Sequence, residues 1–433
     1  MHIRKSLSTC APAMPALFLV FLLALCAGCG GGGSTTTTGG GGSDSTTVTI
    51  TFSGTAMPTL VAAQIGTGAF TAQTLSSGTL SLSIPSGTSD YAVADLCPGQ
   101  AEYLWEASIK DGTSFSFACP GQPNLTPDLT GSLDATAVPG VQSFEVYPQN
   151  GSVVGSGGVG GGSQGSFEAL APVGSDRVLV LAYNDNANQG GPAAATNFEN
   201  QTVPGALNGG NTVVFGTADE TTSEAIAYNN VPSGFSSPET YVGLEMGGGG
   251  PAEVLVDLAL ETTTQYAALP ASATETGDLY YLSAGAYDTG SSSTSVVAAS
   301  TTISGGPVSF TFPSAWSYAG PTPAALPSFT MGYAGFSGTN VIQNVTITWT
   351  SGSGASPTNY GIYLEATANY QSGSTTLAIP DLSGVSGFLP APASGTQVQW
   401  SAAITQQSYG LGSQAPLNGT SSDVQNYGSY TAP

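Results

Sequence analysis

The sequence predicts an all-β protein, built as tandem antiparallel β-sandwich domains after a disordered Gly/Ser/Thr tether. Three observations carry that prediction. Apolar residues alternate with hydroxyl residues in segments such as Val48-Thr49-Ile50-Thr51-Phe52 and Leu80-Ser81-Leu82-Ser83-Ile84, and strict period two over five residues marks a half-buried strand. No stretch keeps a helical period; the nearest, Val254 to Leu260, is too short and too β-branched to prefer a helix. The 60 glycines and the 7% charged fraction would suit a disordered chain, but hydrophobic residues reach 40% and 18 Tyr and 16 Phe are spread along it. That is enough apolar surface to bury cores.

Taken in order, residues 30 to 47 are Gly, Ser, Thr and one Asp, a flexible coil with an end-to-end distance of roughly 25 Å. Strands are then expected at Val48–Phe52 and Leu80–Ile84. Tyr103–Ile109 and Thr113–Phe117, joined by Asp111-Gly112, read as a hairpin with a type I′ turn. Further strands are expected at Phe144–Tyr147, Arg177–Tyr183, Thr212–Phe215, Ala252–Leu260, Asp278–Ala286 and Val308–Phe312. The last are Val345–Thr350, Gly361–Tyr370, Thr375–Ile379 and Gln397–Ile404.

An internal echo suggests boundaries. Phe70 followed by the Pro85 to Ala94 segment is matched by Phe167 followed by the Pro172 to Val180 segment, each an aromatic strand, a Pro/Gly turn and a strand rising into the core. Two sandwiches at 48–130 and 131–232 fit this echo and ordinary domain sizes. The layout resembles transthyretin-like and carboxypeptidase-regulatory-like modules. Residues 233–340 are expected to form a third β-rich domain. In 341–433, Trp349, Tyr360, the Leu377 to Leu382 segment and Trp400 resemble a fibronectin III or Ig-like sandwich.

The N-terminus sets the compartment. Arg4 and Lys5 precede an apolar run from Ala16 to Leu25, and small Ala27 and Gly28 follow. This is the pattern of a signal peptide; the run is far shorter than the roughly 20 residues that span a bilayer. Leu25-Cys26-Ala27-Gly28-Cys29 resembles the lipobox of bacterial lipoproteins, with Cys26 at a place usually held by Leu. The resemblance covers only the first thirty residues. It implies that residues 1–28 are removed and that Cys29 carries lipid, leaving residues 29–47 as anchor and tether. Gly30 after that cysteine, in place of Asp, resembles outer-membrane sorting. Cys10 and Cys26 leave with the signal, so Cys97 and Cys119 remain as a pair. In an oxidising compartment an even pair reads as a disulfide, and closing that loop stabilises by about 3 kcal/mol.

Charge narrows the partners. The chain carries a net charge of −23, and after residue 28 only Lys110 and Arg177 are basic against 27 acidic residues, with no histidine. Nucleic acid and nucleotides are excluded as partners, because phosphates are bound through Lys and Arg. Attachment to a membrane has to come through the lipid, not through anionic headgroups. Repulsion among carboxylates eases as pH falls, which suits work in an acidic exterior.

Catalytic motifs are weak. Gly161-Gly162-Ser163-Gln164-Gly165 and Gly155-x-Gly157-x-x-Gly160 match GxSxG and the dinucleotide fingerprint by letters alone, with neither a following helix nor a histidine base. Lys110 reads as a solvated turn residue and Arg177 as a local ion pair with Asp176. Carboxylates alone can support hydrolysis of glycosides without histidine; Asp219, Glu220 and Glu224 cluster, as do Glu275 and Asp278, and both groups read as solvated faces. Asn184, Asp185, Asn186 and Asn188 offer oxygens at near-alternate positions, a candidate calcium loop outside the EF-hand pattern. No other cofactor is expected. Tyr281, Trp316, Tyr318, Tyr333 and Phe336 lie in or beside Gly/Pro-rich segments and are candidates for stacking on sugars or for filling sandwich ends.

These readings converge on a lipid-anchored extracytoplasmic surface protein, a binding, adhesion or structural module without enzymatic activity. Its expected partner is an unknown protein or a glycan. The alternative is a carboxylate-based glycan hydrolase. Replacing Cys29 by Ala is expected to abolish incorporation of radiolabelled palmitate and release the protein from membranes; undiminished labelling would remove the anchor.

Overall fold

The computed structural model describes residues 45–53, 56–119, 126–148, 156–157, 163–171, 175–184, 191–201, 208–247, 253–256, 264–290, 295–338, 340–352, 357–409 and 418–433. Cys29 and most of the tether lie outside them, as do Asp185, Asn186, Asn188 and Leu260. Among the described residues the chain is β, apart from a 3-10 turn at Thr217–Asp219 and one helical turn, α1 (Ala368–Gln371).

The first stretch contributes β1 (Ser45–Ser53), β2 (Leu60–Ile65), β3 (Thr71–Ala72), β4 (Thr79–Pro85), β5 (Asp90–Cys97), β6 (Ala101–Ser108) and β7 (Ser114–Ala118). The second contributes β8 (Thr126–Asp134), β9 (Ser143–Pro148), β10 (Ser156–Gly157), β11 (Gln164–Ala171), β12 (Ser175–Tyr183), β13 (Ala194–Gln201) and β14 (Asn208–Val214). From the third come β15 (Thr222–Asn229), β16 (Glu239–Glu245), β17 (Glu253–Val256), β18 (Gln265–Ala268), β19 (Leu279–Tyr287), β20 (Ser295–Ile303) and β21 (Val308–Thr311). The last supplies β22 (Ser328–Thr330), β23 (Val341–Ser351), β24 (Thr358–Thr367), β25 (Thr376–Ala378), β26 (Gln397–Gln407) and β27 (Thr420–Thr431).

Twelve of these strands form one sheet in the order β17-β16-β19-β20-β27-β26-β23-β24-β6-β5-β2-β3. All its pairings are antiparallel except β24 with β6, which run parallel, Gly361 opposite Ala101 through Ala366 opposite Glu106. The expected division into four separate units is therefore corrected. Strands of the first, third and last stretches share one sheet, and a single apolar cluster runs from Ala94 to Ala432. The physical reason is that β6 and β24 each bury a side-chain row against that core, Leu104 on one and Ile362, Leu364 and Ala366 on the other. Pairing also leaves neither backbone open.

The opposite face of β2, β5 and β6 is covered by the small sheet β4-β1-β7. Val48, Ile50, Leu80 and Leu82, the apolar half of the two alternating segments, meet Val61, Val93 and Trp105 in a second core. The predicted hairpin across Asp111-Gly112 is corrected by this arrangement: β7 pairs in parallel with β1, not with β6. The Asp111 carboxylate accepts from the Ser108 amide at 2.8 Å, from Thr367 Oγ1 at 2.6 Å and from Asn369 Nδ2 at 2.5 Å. These bonds turn the chain out of the sheet, so Phe115 and Phe117 face Trp105 across the sandwich, with centroids 5.8 and 5.9 Å apart. The tether also ends earlier than expected, since Ser45–Thr47 already pair with Ser83–Pro85.

The second stretch forms a sandwich over 126–214, while β15, inside the bounds expected for the second unit, pairs with β18 and β21 instead. Sheets β10-β9-β12-β13 and β11-β8-β14 enclose Leu133, Phe144, Val178, Val180 and Phe215. Strand β12 is buried on both faces: Val178, Val180 and Ala182 point into this core, and Leu179, Leu181 and Tyr183 into the large one. Its unbroken apolar run, Val178 to Tyr183, follows from that.

Arg177 stands on the same strand and is itself buried. Its Nη1 donates to Asp278 Oδ1 at 2.7 Å and its Nη2 to the Ala273 carbonyl at 2.7 Å; Glu275 lies 3.3 Å from Nε. Asp278 also accepts from the amides of Gly247 and Glu275, each at 2.8 Å. Burial works to raise the Asp278 carboxyl, but the guanidinium and the two amides outweigh it and hold the group below the ordinary aspartate range. Two expectations are corrected here. The partner of Arg177 is 101 residues away, not its neighbour, and Asp278 is not on a solvated face. A guanidinium on a strand buried on both sides has to find its carboxylate inside the protein.

Removing Asp278 leaves that guanidinium buried without its main partner. Asp278→Ala is expected to cost about 3–5 kcal/mol, and an Arg177→Leu/Asp278→Leu double variant to recover most of it. Urea midpoints of the three proteins check this; equal midpoints for wild type and Asp278→Ala would show the pair to be dispensable.

Candidate functional site

Strands β6, β24, β23 and β26 lie side by side, and beyond the edge of the covering sheet β4-β1-β7 their outer face carries polar side chains. An open groove of about 520 Å³ crosses this face. Thr348 and Thr350 of β23, Asn359 and Tyr363 of β24, and Gln397 and Gln399 of β26 line it. Its wall includes Gly99 and Gln100, in the turn from β5 to β6. Both have positive φ, +90° and +66°, a region glycine adopts freely and other residues rarely. The disulfide between Cys97 and Cys119, with Cα atoms 5.4 Å apart, ties the start of that turn to the end of β7. The predicted disulfide is thus present, and it braces one side of the groove.

Alternation explains the face. On β23, Val345, Ile347 and Trp349 enter the large core, which leaves Thr346, Thr348 and Thr350 on the other side. The Tyr363 ring lies over Gly361, where an added Cβ would come within 2.8 Å of it. It stacks on Tyr103 with centroids 4.9 Å apart and planes 15° from parallel. No Asp, Glu, Lys or Arg is among the lining residues.

The residues singled out from sequence fall elsewhere. Trp316 and Tyr318 stack on each other at 5.4 Å, and Tyr318 meets Phe329 and Trp400; with Tyr333 and Phe336 they pack against the large core. Tyr281 lies on β19, 6.3 Å from Tyr241. Lys110 is exposed in its turn. Asp219 accepts from the Gly216 amide and from Ser272 Oγ, while Glu220 is exposed. Of the calcium-loop residues only Asn184 is described; it is exposed just after β12, and its partners lie outside the described residues. The sequence reading missed the groove, although the signal was present: uncharged polar residues recur on the alternate positions of β23 and β26.

Buried carboxyls form a second distinctive set. Asp95, Glu102, Glu106 and Asp423 are all buried, on β5, β6 and β27. Desolvation pushes Glu106 up to about 8. It pushes Asp95 to about 7 with help from Glu102, Glu102 to about 7 against the Leu389 amide, and Asp423 to about 7 against the Thr405 hydroxyl. Asp95 and Glu102 belong to opposite faces of the sheet, since Asp95 pairs with Tyr103 and Glu102 with Leu96. They do not face each other across a cleft.

No family model matches the chain, and no curated protein matches it. Among solved structures, the crystal structure of the chicken CNTN1 FN1-FN3 domains covers 73% of this chain and 88% of its own at 8% identity, with a TM-score of 0.11. At that score the likeness carries no argument.

The carboxyls give the fold a pH dependence of definite sign. Their folded pKa values lie above the ordinary value near 4, so the folded state holds protons that the unfolded chain releases. Stability then rises as pH falls from about 8 toward 4. The depressed Asp278 works the other way only below the ordinary aspartate range. Calorimetry is expected to give a higher melting temperature at pH 5 than at pH 8, with a flatter profile in Glu106→Gln/Asp423→Asn; a lower value at pH 5 would reverse the assignment.

Proposed function

We propose that the chain is a lipid-anchored extracytoplasmic module that holds its ligand non-covalently in the groove across β6, β24, β23 and β26. The observation that carries this reading is the lining itself: hydroxyls, side-chain amides and aromatic residues on a sheet, with no Asp, Glu, Lys or Arg among them. A β-sheet floor fixes these groups more tightly than loops do. Hydrolysis of a glycoside takes two carboxyl groups flanking the bond, and the groove lining supplies none, which favours binding over the hydrolase alternative. The lipobox-like segment supports the anchor, and the Gly/Ser/Thr tether supplies reach from the membrane.

The test uses the full chain, reconstituted through its lipid into liposomes passed over immobilised cell-envelope extract. Liposomes bearing the wild type are expected to be retained. Those bearing Gln399→Trp, which fills the groove from an exposed position, are expected to be retained at least tenfold less at an unchanged melting temperature. Equal retention of the two would show that the groove is not the site.

A further inference from the structure

The groove shares Gly361, Tyr363, Thr348 and Gln399 with a longer track. Register places Tyr103, Tyr363, Thr346, Ser401 and Tyr427 in one row across five strands, from β6 to β27. The next row holds Gly361, Thr348, Gln399 and Ser429. Side chains in both rows reach solvent: Tyr103, Tyr363, Thr346, Ser401, Tyr427 and Thr348 partly, Gln399 and Ser429 openly. At the usual spacing between strands the track is about 19 Å long, enough for an oligomer and more than a single small molecule needs.

Resting on the binding reading above, we infer that this track takes an uncharged polysaccharide strand laid across the β-strands. Three features of the track select that chemistry. Each polar group in it is a hydroxyl or an amide, able to donate and accept at once, which matches a polymer bearing hydroxyls on every unit. The tyrosines offer flat faces for the apolar C–H faces of sugar rings, Tyr103 and Tyr363 at one end and Tyr427 at the other. No cation lies on the track: Arg177 is buried in β12, and Lys110 sits in the turn after β6. The ionisable groups bordering it are acids, Asp95 opposite Tyr103, Glu365 one row beyond Tyr363 and Asp288 near Tyr427. With a net charge of −23, the surface repels polyanions such as acidic glycans.

An extended peptide is disfavoured by direction. Peptides that add to a sheet run along an open edge and use its backbone groups. This track crosses the strands at right angles in the interior of the sheet, where the backbone groups of β24, β23 and β26 are already paired on both sides.

The test is a printed array of neutral and acidic oligosaccharides, probed with the fluorescently labelled full chain in detergent micelles. Signal on neutral oligomers is expected, rising with length up to about four units and weak or absent on uronic-acid oligomers. Titration calorimetry with the brightest neutral oligomer should then show at least tenfold weaker binding for Tyr363→Ala and for the exposed Gln399→Ala, the latter with unchanged melting temperature. Signal confined to acidic oligomers, or affinity unaltered in both variants, overturns the inference. A blank array combined with groove-dependent liposome retention overturns the glycan assignment and leaves the binding module standing. A blank array without such retention removes both.

Discussion

The parallel pairing of Ala101–Glu106 with Gly361–Ala366 is the contact on which the rest depends. Without it β6 would end one sheet and β24 would end another. With it, the groove spans the seam, since Gln100 and Ala101 come from one side and Gly361 and Tyr363 from the other. Neighbouring contacts reinforce the same joint: Thr367 and Asn369 donate to Asp111, and the Leu389 amide donates to Glu102 at 3.2 Å. These bonds satisfy carboxylates that the sheet would otherwise bury with fewer partners. The site and the long-range architecture are thus one construction.

Charge follows an unusual economy. With two basic residues after residue 28, the fold cannot neutralise its acids by pairing, and Arg177 is committed to the docking of β12. Asp423 and Glu106 are accommodated differently, by burial that favours their protonated form. Thr405 Oγ1 donates to Asp423 Oδ1 at 2.8 Å, so the group keeps a partner in either state. The acidity visible in the composition is therefore divided between an outer surface that carries charge and a core whose acids are disposed to lose it.

Much of the local structure was legible in the sequence. The alternating segments at Val48–Phe52 and Leu80–Ile84 are strands β1 and β4, paired with each other, and the apolar run after Arg177 is a doubly buried strand. The joining of Cys97 to Cys119 followed from cysteine arithmetic. Strand β27 was not legible: TSSDVQNYGSYT reads as loop because its buried positions include Asp423 and Asn426, held between β20 and β26. The Asp111-Gly112 turn misled because its carboxylate is satisfied by residues far along the chain, which no local pattern announces. The groove escaped for a related reason. Threonines and glutamines on outward positions look like ordinary solvated faces until register shows that they form rows.

The long seam also bears on how the molecule comes to exist. Thr367 and its partner Asp111 are 256 residues apart, and loops of that size close slowly compared with hairpins. An N-terminal portion emerging first can assemble β1 to β7, yet its β6 edge stays open until the last quarter of the chain arrives. An open strand edge is an invitation to wrong partners, including another copy of the same nascent chain. A chain built this way gains from being threaded and released as a whole, and its yield should depend more on what shields β6 in the interval than on the strength of the finished fold.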